Sequence, residues 1–148
     1  MKRILFFAAI AAAVMFDANA QKYKVVTSVE SIVPMGLGRS RMIENTSDIN
    51  VDDYTTERTD GKDSDQGDVK RGDLKIDAFK ETKLLNFYSG VGINFQNIAS
   101  NDALIQDKIN KMSEQGYKLI FVAPGVESVG GKDDKYGIFI IRYIFEKQ

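Results

Sequence analysis

The C-terminal half of the chain carries the strongest structural pattern. Residues 100–123 read SNDALIQDKINKMSEQGYKLIFVA, and residues 137–146 read GIFIIRYIFE. The second segment is apolar at nearly every position and rich in β-branched and aromatic residues, which predicts a strand. One of its faces carries Phe139, Ile141, Tyr143 and Phe145, and the other carries Ile138, Ile140, Arg142 and Ile144. Because both faces are apolar, we expect both to be covered.

A helix is the clearest element ahead of this strand. The apolar side chains that recur at helical spacing are Ile105, Ile109 and Met112, with Leu104 beside them. We predict a helix over 100–115, with Ser100 or Asn101 as its N-cap. Gly116 occupies the position where a helix commonly ends in a left-handed residue. A buried strand over 117–123 is expected to follow at once.

Further strands are predicted from alternating and β-branched segments. Residues 23–33 (YKVVTSVESIV) fit a strand that ends at Pro34, because proline cannot donate to a β-ladder. Residues 39–44 (RSRMIE) can return as a second strand. Pro124 and Gly125 predict a turn after the strand that follows the helix.

The segment 74–88 (LKIDAFKETKLLNFY) fits a helical stripe and, over 84–88, a short strand. This ambiguity matters, since the one clearly predicted helix can cover only one face of the sheet. We therefore expect the second face to be covered either by 74–88, if it is helical, or by a second copy packed sheet to sheet as a homodimer.

Residues 44–73 differ in kind from the rest. They contain ten acidic and four basic residues and few apolar ones. Such a composition predicts a long, flexible, exposed acidic loop, because it buries too little apolar surface to offset its ordering entropy. A short strand over 54–58 is expected to interrupt it. The fold class predicted is α+β: a mainly antiparallel sheet, one principal helix in a β-α-β-β tail, and this insertion.

The N-terminus has the pattern of a secretory signal peptide. Lys2 and Arg3 precede an unbroken apolar run over 4–16, and Ala18-Asn19-Ala20 has the small-x-small form that signal peptidase cleaves. The run is shorter than the roughly 20 residues of a membrane span. We predict cleavage after residue 20, leaving a single domain over 21–148 that is exported to the periplasm or beyond with no membrane anchor.

Part of this pattern resembles a known family. Tyr23-Lys-Val-Val26 and Gly116-Tyr-Lys-Leu-Ile120 are similar to the "Y-x-V-V" strand and the "G-W-E-L-V" helix end of small bacterial domains of unknown function. Tyr117 replaces the usual Trp, Lys118 replaces the usual Glu, and the segment 34–99 is longer than in the short members. The resemblance covers about half of the predicted mature chain, and it implies a β-α-β-β architecture and no activity.

Composition excludes several functional classes. The chain has no His and no Cys, which removes Ser–His–Asp and Cys–His catalysis, Cys/His zinc sites and disulfides. The predicted mature chain has 18 basic and 20 acidic residues, and its tyrosines have no accompanying basic stripe. Nucleic acid is therefore not an expected partner. No cofactor is predicted.

Two loops are candidate binding sites. Gly36, Gly38, Arg39 and Arg41 combine glycines, which let backbone N–H groups approach an anion, with two guanidinium groups on one strand face. The alternative is an edge-strand turn whose arginines oppose aggregation. Four aspartates in the insertion offer oxygen ligands for Ca²⁺ without matching an EF-hand; they are Asp60, Asp63, Asp65 and Asp68. The alternative is a solvated loop.

Catalysis without histidine would require carboxylates, as in glycosidases. Glu30, Asp102 and Glu127 are the acids outside the insertion that could take part, and the sequence does not pair them. The expected function is an exported, non-catalytic module that binds an unidentified protein or small ligand. A His-free glycan hydrolase and a structural homo-oligomer that uses a sheet face are the alternatives.

Overall fold

The computed structural model describes residues 22–34, 39–127 and 137–148. The predicted signal peptide, Gly36 and Gly38 lie outside these residues. The described strands are β1 (Tyr23–Ser31), β2 (Arg41–Asn45), β3 (Phe79–Lys83), β4 (Tyr88–Ser89), β5 (Gly92–Ile93), β6 (Tyr117–Glu127) and β7 (Ile138–Lys147). The α-helix is α1 (Phe95–Glu114), and two short 3-10 helices are Val51–Tyr54 and Asp65–Asp68.

Five strands form an antiparallel sheet in the order β3-β2-β1-β7-β6. β4 and β5 make a separate small hairpin just ahead of α1. The predicted α+β class, with one main helix and a mostly antiparallel sheet, is confirmed. The strands predicted near the N-terminus and at the C-terminus are present, and the strand that follows the helix begins at Tyr117 as predicted.

α1 begins five residues earlier than predicted. Asn94 is the N-cap, and its side-chain oxygen accepts a hydrogen bond from the backbone N–H of Asn97 at 3.1 Å. The predicted caps Ser100 and Asn101 are therefore wrong. Asn101 instead lies within the helical sequence and is fully buried, because its side-chain amide forms hydrogen bonds with neighbouring segments of the chain. The helix ends as predicted, with Gly116 left-handed at φ 80°.

β6 continues through the predicted turn. Pro124 pairs with Ile141, and the strand runs on to Glu127. This is possible because β6 is an edge strand, where a missing N–H group leaves no partner unsatisfied. A register shift between Leu119 and Phe121 places an irregularity in the same strand.

The segment 74–88 is not helical. It contains strand β3, which pairs with β2 and forms the edge opposite β6. The helical alternative and the strand over 84–88 are both wrong, since Leu84 ends the strand by turning into the core at 3% exposure. The strand expected over 54–58 is absent as well, and a 3-10 helix, Val51–Tyr54, stands just before it.

The core lies between α1 and one face of the sheet. Its buried apolar side chains are Val26, Met42, Leu84, Met112, Tyr117, Tyr143 and Phe145. An ion pair between Lys108 on α1 and Glu44 on β2 joins the helix to the sheet, and Lys24 lies 3.7 Å from the same carboxylate. Burial alone would raise the pKa of Glu44, but the hydrogen bond and charge of Lys108 hold it below its ordinary value.

Gly116→Ala should destabilise the protein by about 1 kcal/mol. A left-handed alanine costs about 1–2 kcal/mol, and the lower entropy of the unfolded chain offsets about 0.4–1 kcal/mol of this. Urea unfolding followed by circular dichroism measures the difference. Gly67→Ala is the matched control, since Gly67 has no positive φ and its added Cβ would meet nothing within 4 Å. An equal loss in both variants would contradict the conformational explanation.

Candidate functional site

The predicted anion site is only partly described. Arg41 projects from β2 and its Nη1 donates to Glu81 Oε1 on β3 at 2.5 Å. A groove of about 350 Å³ beside this ion pair is lined by Ser40, Arg41, Glu81 and Lys83. Arg39 is exposed just before β2. The groove therefore contains an acidic group among its basic ones, and Arg41 already bonds a carboxylate of its own chain.

The structure does not group the four aspartates of the proposed Ca²⁺ site. Asp60 Oδ1 accepts from the backbone N–H groups of Lys62 at 3.0 Å and Asp63 at 3.4 Å. These bonds, that of Lys62 first, lower the pKa of the Asp60 carboxyl. Asp65 and Asp68 lie at the ends of a 3-10 helix. Within the described residues no three acidic side chains are close enough together to hold a metal ion.

A buried polar cluster joins three segments of the chain, and it was not predicted. Asn101 Nδ2 donates to Glu30 Oε1 on β1 at 2.6 Å and to the carbonyl of Leu85 at 2.7 Å. Its Oδ1 accepts from the backbone N–H of Leu85 at 2.8 Å. The amide thus fixes α1 to the central strand and to the chain after β3. The periodic pattern of apolar residues does not predict this role, because it places Asn101 on the polar, exposed face of the helix.

Glu30 and Asp102 are brought near each other within this region. Burial raises the pKa of the Glu30 carboxyl, the bond from Asn101 opposes that rise, and the charge of Asp102 adds to it. Burial likewise raises the pKa of the neighbouring Tyr143 phenol. Glu30 is only 4% exposed, so its carboxyl is not presented to a substrate in solution. Glu127 is exposed at the far end of β6.

The most extensive candidate surface is the sheet face that α1 leaves uncovered. We call it the open face and define it by side chains from all five strands: Val25, Thr27, Val29, Arg41, Ile43, Phe79, Glu81, Lys83, Phe121, Ile140, Arg142 and Ile144. The one α-helix among the described residues packs against the other side. Phe121 is 60% exposed, Phe79 48% and Val25 45%. Such large apolar side chains seldom lie together on a free surface.

Strand register arranges the open face in rows. Val25, Ile144 and Phe121 pair side by side and make an apolar row across β1, β7 and β6. A hollow of about 340 Å³ continues this row toward β3, lined by Val25, Thr27, Ile43, Asn45, Ile76 and Phe79. Ile76 is the contribution of the chain just ahead of β3. The hollow has the apolar lining that a side chain of a partner would fill.

The open face also carries charged side chains, with Arg41 on β2, Glu81 and Lys83 on β3, and Arg142 on β7. Arg142 lies exposed between Thr27 and Ala123 of the neighbouring strands, and it forms no ion pair with any residue that the structure describes. The sheet register places Glu81 of β3 in the same row as Arg142, with Ile43 and Thr27 between the two. One row therefore carries an acidic group at one side and a basic group at the other.

Comparison with known proteins gives no match to this chain among protein-family models, curated proteins or solved structures. The resemblance to small bacterial domains of unknown function stays a prediction. No helix in the described residues is long and apolar enough to cross a membrane.

Glu30→Gln tests the electrostatics of the buried cluster. The raised pKa means that the folded state holds the Glu30 proton more tightly than the unfolded state. The carboxyl therefore stabilises the fold below its ordinary pKa of 4.5, and this contribution is lost as pH rises through the raised value. Glutamine keeps an oxygen that accepts from Asn101 and has no proton to lose.

We expect Glu30→Gln to become more stable relative to the wild type between pH 4 and pH 7, by about 1.4 kcal/mol for each unit of pKa difference. Urea unfolding at a series of pH values measures this. Glu57→Gln, an exposed change in the insertion, should follow the wild type at every pH. A Glu30→Gln profile parallel to that of the wild type would show that burial does not perturb this carboxyl.

Proposed function

We propose that this protein is an exported, non-catalytic interaction module that binds the surface of another protein chain through its open face. The observation that carries the proposal is the exposure of Val25, Phe79 and Phe121 on a sheet face with no α-helix over it in the described residues. Uncovered apolar area of this size is typical of protein interfaces. Export follows from the signal-peptide pattern of the N-terminus and is part of the same proposal.

The size of the open face supports binding of a protein rather than a small ligand. The five strands contain between 5 and 11 residues each. With a rise of about 3.3 Å per residue and a spacing of about 4.8 Å between strands, they cover roughly 600 Å² in projection. A drug-sized ligand occupies a single concave pocket, whereas this surface is broad and the apolar hollow takes up only its β3–β2–β1 side.

The composition of the open face supports the same reading. Aromatic side chains and an arginine within an apolar surface are the residue types that dominate binding energy at protein interfaces. Phe121, Phe79 and Arg142 are of these types. The groove beside Arg41 is of mixed charge and adjoins the edge strand β3, which makes it a better rim than a centre for an interface.

Hydrolysis of glycans gains no support from the carboxylates. A glycosidase needs two carboxyl groups that flank a sugar within a cleft. Glu30 points into the core and is bonded to Asn101, while Asp102 is exposed on α1. The difference in their exposure suits a structural role for Glu30.

Site-specific photo-crosslinking in the native host tests the proposal. A benzophenone amino acid in place of Phe121 or Phe79 should give protein adducts after irradiation, because both rings would lie within an interface. The same group in place of Val91, which is fully exposed in the turn between β4 and β5, is the matched control and should give none. Absence of any protein adduct from both face positions would overturn the proposed function.

A further inference from the structure

We infer that the chain bound by the open face is a second copy of this protein, packed sheet to sheet about a two-fold axis that runs parallel to the strands. The inference rests on the proposed function and names its partner. Its basis is the position of Glu81 and Arg142, two of the charged residues on the open face, and of the apolar side chains beside them.

The two charges occupy a single row. The register of the sheet places one residue from each strand side by side, in the order Glu81, Ile43, Thr27, Arg142 and Ala123. Glu81 is on the edge strand β3, and Arg142 is on β7, three strands away. The midpoint between them falls between β2 and β1, near the middle of the sheet.

A two-fold axis through this midpoint makes the row complementary to itself. When this axis runs parallel to the strands, β3 of one copy lies opposite β7 of the other, and β2 lies opposite β1. Glu81 of each copy therefore lies opposite Arg142 of the other. An axis perpendicular to the strands would place β7 over β7 and bring two Arg142 side chains together. Like charges in a desolvated interface are strongly unfavourable. Charge therefore selects the first arrangement.

The arrangement also supplies a partner for Arg142. Covering this guanidinium with an apolar surface would desolvate a charge without compensation, which is costly. Glu81 already accepts from Arg41 through Oε1. A carboxylate has two oxygens and can accept from two guanidinium groups. The second copy's Arg142 would complete an Arg–Glu–Arg group on each side of the axis.

The same exchange brings apolar side chains together. Phe79 lies two residues before Glu81 on β3, and Ile144 lies two residues after Arg142 on β7, in the apolar row. The axis that pairs the charges therefore places Phe79 of one copy opposite Ile144 of the other. Phe121 on β6, the neighbour of Ile144, then comes to the outer side of Phe79, beyond the edge strand β3.

The area fits a weak, concentration-dependent pair. Face-to-face sheets pack about 10 Å apart with interdigitating side chains. The axis leaves β6 outside the overlap, so the strands that face one another, β3, β2, β1 and β7, cover at most roughly 460 Å² in projection. The accessible surface is larger than this projection, because the side chains stand out from the sheet. Standard interfaces bury about 800 Å² on each partner. A two-fold pairing is also the commonest form of protein oligomer.

Charge reversal on the two residues tests the pairing. The wild-type protein, purified after export, should form dimers in sedimentation velocity runs over a concentration series. Glu81→Arg and Arg142→Glu, each alone, place like charges opposite one another twice per dimer and should raise the dimer dissociation constant at least tenfold. An equimolar mixture of the two variants should recover dimers, because Arg at 81 then meets Glu at 142 and the unaltered pair meets on the other side.

Two controls distinguish a loss of dimerisation from a loss of folding. Glu57→Arg makes the same charge change in the exposed insertion and should leave the dissociation constant unchanged. Glu81→Arg also removes the ion pair with Arg41, but the rescuing mixture contains the same change, so recovery of dimers excludes a folding defect as the cause. Native mass spectrometry of the mixture identifies the heterodimer by its mass.

The outcomes distinguish this inference from the proposed function. A wild-type protein that stays monomeric at every concentration overturns the second copy as the partner, and adducts of Phe121 with a different protein would then keep the proposed function. Dimers that survive both single reversals overturn the arrangement inferred here. Absence of dimers together with absence of any adduct overturns both.

Discussion

One helix faces one side of a five-stranded sheet, and the rest of the molecule follows from that constraint. Asn101 fixes the helix to β1 and to the chain after β3, while Lys108 fixes it to β2 through Glu44. These polar contacts require polar partners beneath the helix, so the covered side of β1 carries Ser28 and Glu30. Val26 is the apolar residue of β1 on this covered side, while Val25 and Val29 stand on the opposite side. The sheet thus keeps a substantial part of its hydrophobic surface for something outside the helix layer.

The strands and the end of the helix were predictable because their signals are local. Alternation over 23–33, the apolar run over 137–146 and the left-handed Gly116 each report on their own backbone. The start of the helix was not predictable in this way. Asn101 is a good N-cap by type, and only its tertiary partners place it within the second turn. The turn predicted at Pro124 is wrong for a related reason. A proline interrupts a central strand but is tolerated in an edge strand, and the sequence does not show which strand lies at the edge.

The candidate site was harder to predict than the fold. Glycines, arginines and aspartates in loops are conspicuous in a sequence, and they drew attention to Arg41 and to the acidic insertion. The two apolar faces of β7 did indicate that a second cover is required. What no local pattern contains is the register that sets Glu81 and Arg142 in one row, since these residues are 61 positions apart and on strands that do not touch.

The two edge strands have a consequence for how the protein can aggregate. β6 is long and apolar, which would make it a template for an added strand, but Pro124 offers no N–H group and the irregularity near Leu119 breaks the regular edge. β3 presents charged residues at the other edge. Growth of the sheet by strand addition is therefore blocked at both ends, and fibril formation is opposed by the backbone itself rather than by the surface charge of the insertion.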